Sequence, residues 1–400
     1  MGQLLTVLIT IVRSHGEEEK MRKSLLVVAV LLAVLISGKA FAGETIRIGA
    51  VASVTGAASF LGEPERNTLV MLQDQINDAG GILGKKLEII IYDDETEVNK
   101  AVLAADRLIR RDLIQAGIGG TTSGNTLAIM NNFARAGIPL VSMAAAERIV
   151  NPVNPWVFKT PQSDRHAVTR ILDHAKGQGY ERIAIITVSD GFGQAGREVM
   201  RELIPEMGLT MVSDEIYGPR DTDMTSQLTR IRNQNPDAII CWGTNPGPAV
   251  IARNRQQLRL DIPLYMSHGV ASRRFIELAG NAAEGLLLPL GRLSVAGQIP
   301  DDHPQKELLL DYISDYESRF NTPVSSFGGY AWDAMMLIKE AIEMGGSADP
   351  EDIRDNLEKI QGFVGTGGIF NMSPQDHNGL DETSFVMAVI EDQDWKIVSE

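Results

Sequence analysis

Short β-rich runs alternate with helix-length amphipathic segments along nearly the whole chain, and this alternation restricts the fold more than any other feature. Thr45–Val51 has the period-two pattern of a strand. Glu63–Ala79 follows at helical spacing, with Leu69, Leu72 and Ile76 on one face, and stops at Gly80-Gly81. Strands are expected at Leu87–Tyr92, Ala116–Gly119 and Pro139–Ser142, with helices over Val98–Asp112 and Asn125–Ala136. A second series begins after Pro161, with helices over 164–178, 194–207, 224–234, 248–258 and 272–279. Its strands are Arg182–Val188, Thr210–Tyr217, Ala238–Cys241, Leu264–Met266 and Gly285–Leu288. Such repetition requires parallel sheets covered by helices on both faces, so the class is α/β, and two series imply two doubly wound lobes. The end of the chain changes character. Helices are expected over Gln305–Phe320, Tyr330–Met344 and Pro350–Ile360, then short strands at Gly368–Phe370, Ser384–Ile390 and Trp395–Val398.

Arg22 and Lys23 precede an apolar run from Leu25 to Ile36, and Ala40-Phe41-Ala42 places small residues where a signal peptidase reads them. This is the pattern of a secretory signal peptide, with a run too short to anchor permanently in a bilayer. Residues 1–42 are therefore expected to be a leader, and the chain after Ala42 to work outside the cytoplasm. Gly16-Glu-Glu-Glu-Lys20 would be encoded by a purine-rich stretch resembling a ribosome-binding site, so Met21 is the expected translation start.

The net charge of −15 argues against nucleic acid and anionic membrane as partners. The lone cysteine, Cys241, ends the apolar run Ala238-Ile-Ile-Cys and reads as a small buried hydrophobe. The six histidines show no metal-ligand spacing, and no cofactor is expected. Gly191-Phe-Gly193-Gln-Ala-Gly196 matches a dinucleotide fingerprint. However, Ser189 and Asp190 separate it from the preceding strand, and Asp190 puts negative charge where a pyrophosphate would lie.

Gly119-Gly120-Thr121-Thr122-Ser123-Gly124-Asn125 links a strand's carboxyl end to a helix start. Its glycines admit a ligand to the backbone, and its hydroxyls and free amides offer donors to an anion. A carboxylate taking three such bonds gains about 1.5–3 kcal/mol from each, a large part of the roughly 8 kcal/mol of a micromolar ligand. Ser142-Met-Ala-Ala-Ala146 ends the next strand, on the same sheet edge, with small residues that permit close approach.

Ile48-Gly-Ala-Val-Ala-Ser-Val-Thr-Gly56, Gln75-Ile-Asn-Asp-Ala-Gly-Gly-Ile-Leu-Gly-Lys85, Ile90-Ile-Tyr-Asp-Asp94, Gly119–Asn125, Gly137-Ile-Pro139, Asp190-Gly-Phe-Gly193 and Ala283-Glu-Gly-Leu286 stand in one family's order and spacing. Over 44–400 the chain resembles the leucine/isoleucine/valine-type periplasmic solute-binding proteins of ABC transporters. The resemblance implies a type I periplasmic binding protein fold, with two Rossmann-like lobes joined by three hinge crossovers near Thr160-Pro161, Pro289-Leu290 and Phe363-Val364. Lobe one would be 44–161 plus 289–363, and lobe two 162–288 plus 364–400.

Carried over by position, Ser123 would bind a ligand carboxylate through hydroxyl and amide, beside Thr121 and Thr122. Ala144, Ala145 and Ala146 would offer backbone groups, the last standing where the family commonly has Thr. Phe192 stands where amino-acid binders often carry Tyr. His268 stands where they place an acid against the ligand's ammonium. Phe60 and Trp242 are expected, with Phe192, to give an aromatic-lined cavity, and Trp242–Asn245 to line the cleft. The implied function is non-enzymatic: capture of a small carboxylate-bearing ligand, a branched-chain-type amino acid first and an aromatic or other non-amine carboxylate as the alternative, for an inner-membrane ABC permease. The protein would be a periplasmic monomer. The alternative class is the ligand-sensing module of a receptor.

Overall fold

The computed structural model describes residues 45–399; the leader and the expected start at Met21 lie outside the described residues. The first sheet contains β1 (Ile46–Ala52), β2 (Leu87–Asp93), β3 (Ala116–Gly119), β4 (Leu140–Ser142) and β5 (Val157–Lys159), in the order β2-β1-β3-β4-β5. Every neighbouring pair is parallel. Helices α1 (Ser59–Asp78), α2 (Val98–Arg107) and α3 (Ser123–Ala136) connect them. The chain then builds α4 (Asp164–Gly177), β6 (Arg182–Val188), α5 (Gly191–Glu206), β7 (Thr210–Tyr217), α6 (Thr225–Arg232), β8 (Ala238–Trp242), α7 (Gly247–Gln257), β9 (Leu264–Met266), α8 (Arg273–Ala279) and β10 (Leu287–Gly291).

Three helices follow, α9 (Lys306–Phe320), α10 (Ser326–Gly345) and α11 (Pro350–Leu357), then a small hairpin of β11 (Phe363–Val364) and β12 (Ile369–Phe370), and last β13 (Phe385–Glu391) and β14 (Asp394–Ser399). The second sheet has the order β14-β13-β10-β9-β8-β6-β7, with β13 alone running antiparallel to its neighbours β10 and β14. Two Rossmann-like lobes, the fold class read from the sequence, result.

Each lobe has its own apolar core. In the first, Ile48 and Ile118 of the sheet and Leu69 and Leu72 of α1 meet Ala334, Ile338 and Ile342 of α10, so the late helix completes the early sheet. In the second, Ile239, Cys241 and Leu288 meet Val386 and Ile390. Cys241 is the buried apolar residue its sequence context predicts.

Two expected boundaries move. Pro289-Leu290 lies inside β10, a strand of the second sheet, so the second crossing comes after Gly291. The third does not fall at Phe363-Val364, because Phe370, Met372 and Leu380 are buried in the first core. The chain returns only as it approaches β13. Buried Gln162 ties the crossings together. Its Nε2 donates to the carbonyls of Gly367 (2.6 Å) and Ser384 (3.4 Å), and its Oε1 accepts from the Tyr330 hydroxyl (3.1 Å).

Candidate functional site

The carboxyl ends of both sheets face each other across a cavity of about 470 Å³. From the first lobe, Thr122 caps α3 by accepting from the Asn125 amide (3.2 Å). The amides of Ser123 and Gly124, in the first turn, have no intrahelical acceptor, and both residues line the cavity. Thr121 holds the loop: its hydroxyl accepts from the Ser53 amide (2.9 Å) and donates to the buried Glu65 carboxyl. Burial, and to a smaller extent Asp94, push the Glu65 carboxyl well above the usual range against the opposing bond from Thr121. Asp94 at the end of β2 accepts from the Ser53 hydroxyl (2.6 Å) and from Asn125 Nδ2 (2.7 Å), which fixes the helix start to the sheet.

Several groups expected to meet a ligand are used inside the protein. The Ala146 amide donates to Ser123 Oγ (3.3 Å), so that oxygen accepts internally while its own proton remains available to the cavity. The Ala144 amide donates to Ser142 Oγ (3.1 Å). The Ala145 carbonyl accepts from Lys159 Nζ (3.2 Å), which also donates to the Pro161 carbonyl (2.8 Å). Ala144 and Ala145 line the cavity, whereas Ala146 is buried behind it. Lys159, a fully buried lysine at the end of β5, was missed by sequence reasoning; the only signal was a cation closing the apolar run Val157-Phe158.

The second lobe supplies Phe192 at the start of α5, His268 after β9, Asn245 after β8 and Tyr217 at the end of β7. Trp242 is not on the cavity wall. It is fully buried with its ring centroid 5.6 Å from that of Phe192, and Gly196 is required beneath it, since a Cβ there would lie 2.1 Å from Trp242 Nε1. Phe60 packs edge-on against Phe327 (6.1 Å) at the first core. The aromatic lining that Phe60 and Trp242 were expected to provide comes instead from Phe327, Tyr330 and Tyr217, which join Phe192.

His268 is 3% exposed, walled by the rings of Phe192, Trp242 and Phe385 at 5.4–5.6 Å, and neither ring nitrogen has a hydrogen-bond partner. Burial, then Lys159 and His166, bring it down to about 3, so the ring is neutral and presents one donor and one acceptor. His166, in α4, is brought down to about 4 by burial and Lys159. Between pH 6.5 and 4 the unfolded chain binds more protons at these two sites than the native one, so their contribution to stability rises with pH across that window, while the buried carboxyls of Glu65, Asp164 and Asp333, held above their usual range, work in the opposite direction. The two histidines' share falls by about 3 kcal/mol from pH 7 to 5. His268→Gln should remove about half of that share, read as the difference in pH dependence between the urea midpoints of the two proteins; identical dependences would assign it elsewhere.

The lobes touch. A Cβ on Gly191 would lie 3.1 Å from Gly124 Cα, so two helix starts meet across the cleft. Arg148 pairs with Glu198 (2.7 Å) and Arg165 with Glu147 (3.0 Å), bridging the segment after β4 to α5 and α4. Among the described residues no group of side chains fits a metal ion, and no helix is long and apolar enough to cross a membrane.

Two doubly wound lobes, joined by three crossings and meeting over a cavity at their strand ends, define a ligand-capturing α/β protein. Residues 45–394 match the family described as periplasmic binding protein, and the chain belongs to it. Among relatives, the leucine-, isoleucine-, valine-, threonine- and alanine-binding protein of Pseudomonas aeruginosa is 24% identical, over 82% of this chain and 86% of its own length. The Leu/Ile/Val-binding protein of Escherichia coli is 24% identical with the same coverage. An extracellular ligand-binding receptor from Rhodopseudomonas palustris HaA2 superposes with a TM-score of 0.83 at 27% identity, over 89% of this chain and all of the other. The resemblance read from the sequence is borne out; the family and these relatives are solute-binding proteins.

Proposed function

We propose that the protein is the exported solute receptor of an ABC transporter, capturing a small carboxylate-bearing ligand between closing lobes and handing it to a permease of the inner membrane. The observation that carries this reading is the start of α3: two amides without intrahelical acceptors and the Ser123 hydroxyl proton, all at the cavity wall, with a second lobe resting over them. A helix start of this kind favours an anion, and burial under the second lobe strengthens each bond to it. The division in this reading is 45–161 with 292–380 against 162–291 with 381–399. The protein acts in the periplasm, as a monomer, without catalysis.

Ser123→Ala should weaken binding about tenfold, the loss of one charge-assisted bond, while leaving thermal unfolding within a few degrees. Calorimetric titration of the two proteins with the same carboxylate measures it, and equal affinities would remove the carboxylate assignment. The names of the relatives make a branched-chain amino acid the starting candidate.

A further inference from the structure

A single peptide group stands between the carboxylate cradle and a buried cation. The Ala145 carbonyl accepts from Lys159 Nζ (3.2 Å), and the Ala146 amide, the other half of the same peptide, donates to Ser123 Oγ (3.3 Å). Ser123 in turn holds its hydroxyl proton toward the cavity at the start of α3. The order is ammonium, peptide, hydroxyl, ligand oxygen, and every donor in it points toward the place of the anion. Hydrogen bonds in such a series polarise one another. A peptide whose carbonyl is held by an ammonium donates more strongly from its nitrogen, and a hydroxyl accepting that bond donates more strongly in turn.

The distances are short enough for the charge itself to act. The two ends of one peptide are about 2.3 Å apart, so Lys159 Nζ lies within about 9 Å of Ser123 Oγ. Opposite charges about 10 Å apart, at an effective dielectric near 20, attract enough to shift an equilibrium about tenfold.

The cation is also one of a titrating pair. Lys159 closes β5 and Asp164 opens α4, both fully buried. Asp164, Glu147 after β4 and Asp376 in the turn after β12 favour the Lys159 charge, while His166 in α4 and His268 after β9 stand near it as neutral rings. Burial lowers the Lys159 ammonium to about 7 and raises the Asp164 carboxyl to about 7. An anion in the cavity raises the proton affinity of both, whichever of them gives up its proton first. Asp190 on the cavity wall and Glu65 behind the α3 loop are also pushed up by burial, but neither belongs to this series of bonds.

Resting on the carboxylate reading above, we propose that Lys159 is a positioning residue for the anion: through the peptide between Ala145 and Ala146 its charge strengthens the Ser123 donor, and capture of the carboxylate draws a proton onto the pair of Lys159 and Asp164. Binding is therefore proton-coupled. The liganded protein holds more protons at the pair than the free one, so the association constant falls as pH rises across the range in which the pair titrates.

The test takes L-leucine as probe and begins with the wild-type protein. Calorimetry at pH 7.5 in buffers of differing ionisation enthalpy counts the protons bound with the ligand, and about half a proton is expected. From pH 6 to 8.5 the dissociation constant should rise about fivefold. Lys159→Arg keeps a cation that does not titrate and should give a flat profile over that range. Lys159→Met combined with Asp164→Leu leaves no charge at the pair and should bind about tenfold more weakly at pH 6, again with a flat profile. A purely structural role for Lys159 would lower affinity in the variants without altering the slope. If the wild-type protein takes up no proton while Ser123→Ala still weakens binding, this inference fails and the carboxylate reading stands. The same holds if Lys159→Arg keeps the wild-type slope, which would assign the proton to Asp190 or Glu65. If L-leucine does not bind at millimolar concentration, 4-methylpentanoate replaces it in the same series; if neither binds, the carboxylate reading falls and the inference with it.

Discussion

Gly191→Val should raise the dissociation constant for any ligand of the closed cavity by about a hundredfold while leaving each lobe folded. A Cβ at this position would already stand 3.1 Å from both the Gly124 Cα and its amide nitrogen. The valine methyls extend further, into the first turn of α3. Neither helix start can yield, since α3 is held by Thr122 and Asn125, and α5 by Asp190. The substituted protein therefore loses the arrangement in which both walls touch the ligand, and affinity falls by the cost of reaching that arrangement. Within either lobe alone the added carbons meet little, so the melting temperature of the free protein should stay within a few degrees. Calorimetric titration gives the affinity, and small-angle scattering with and without ligand shows whether closure is lost. Unchanged affinity would mean that binding does not require the two helix starts to meet.

Lys159→Met should cost about 3 kcal/mol of stability, the largest effect expected from one side chain at the first crossing. Burial lowers the Lys159 ammonium from its usual value and raises the Asp164 carboxyl, and each is the other's nearest compensating charge. The field of Lys159 is the larger compensation for the Asp164 carboxylate, with smaller help from the Glu147 backbone amide and from its place in the first turn of α4. Methionine fills the space but removes that field and leaves the Ala145 and Pro161 carbonyls without the donor seen here. Lys159→Met combined with Asp164→Leu should recover most of the loss, because no buried charge is then left alone. Denaturant unfolding of the three proteins measures the effect. Additive losses in the double variant would show that the two charges act independently.

The alternation of strand and helix, the two series and the return of the last helices are all readable from the period of the apolar residues. The misses have local causes. Strand β5 contains three residues, too few for a period, and its last is Lys159. Helix α1 starts at Ser59 rather than Glu63, since Pro64 resembles a first-turn residue although its missing donor costs a single bond in the helix that precedes it. The third crossing was placed too early because the little hairpin of β11 and β12 reads as the start of the last sheet, whereas Phe370 belongs to the first core.

At the site, the glycine and hydroxyl run before α3 signalled itself, because a ligand-facing helix start needs those residue types together. The rest of the lining gave no such signal. Tyr217 ends an ordinary half-buried strand, and Phe327 and Tyr330 begin a helix some two hundred residues after the cradle they face. Trp242 was drawn into the cavity by its place at a strand end, yet Gly196 opens room for it beneath α5. What a side chain touches in this fold depends on partners from the other lobe or from the far end of the chain, and no local pattern records that.

The completion of the first core by α10 has a consequence for the order of events at the ribosome. A nascent chain that ends before residue 326 carries the entire first sheet but lacks Ala334, Ile338 and Ile342, which cover one of its faces. Most of the other lobe, by contrast, is one uninterrupted stretch from α4 to β10. The amino-terminal third must wait, partly collapsed and unable to lock, until the last quarter of the polypeptide has emerged. A chain built in this way leaves its first core open, by topology alone, until synthesis is nearly complete.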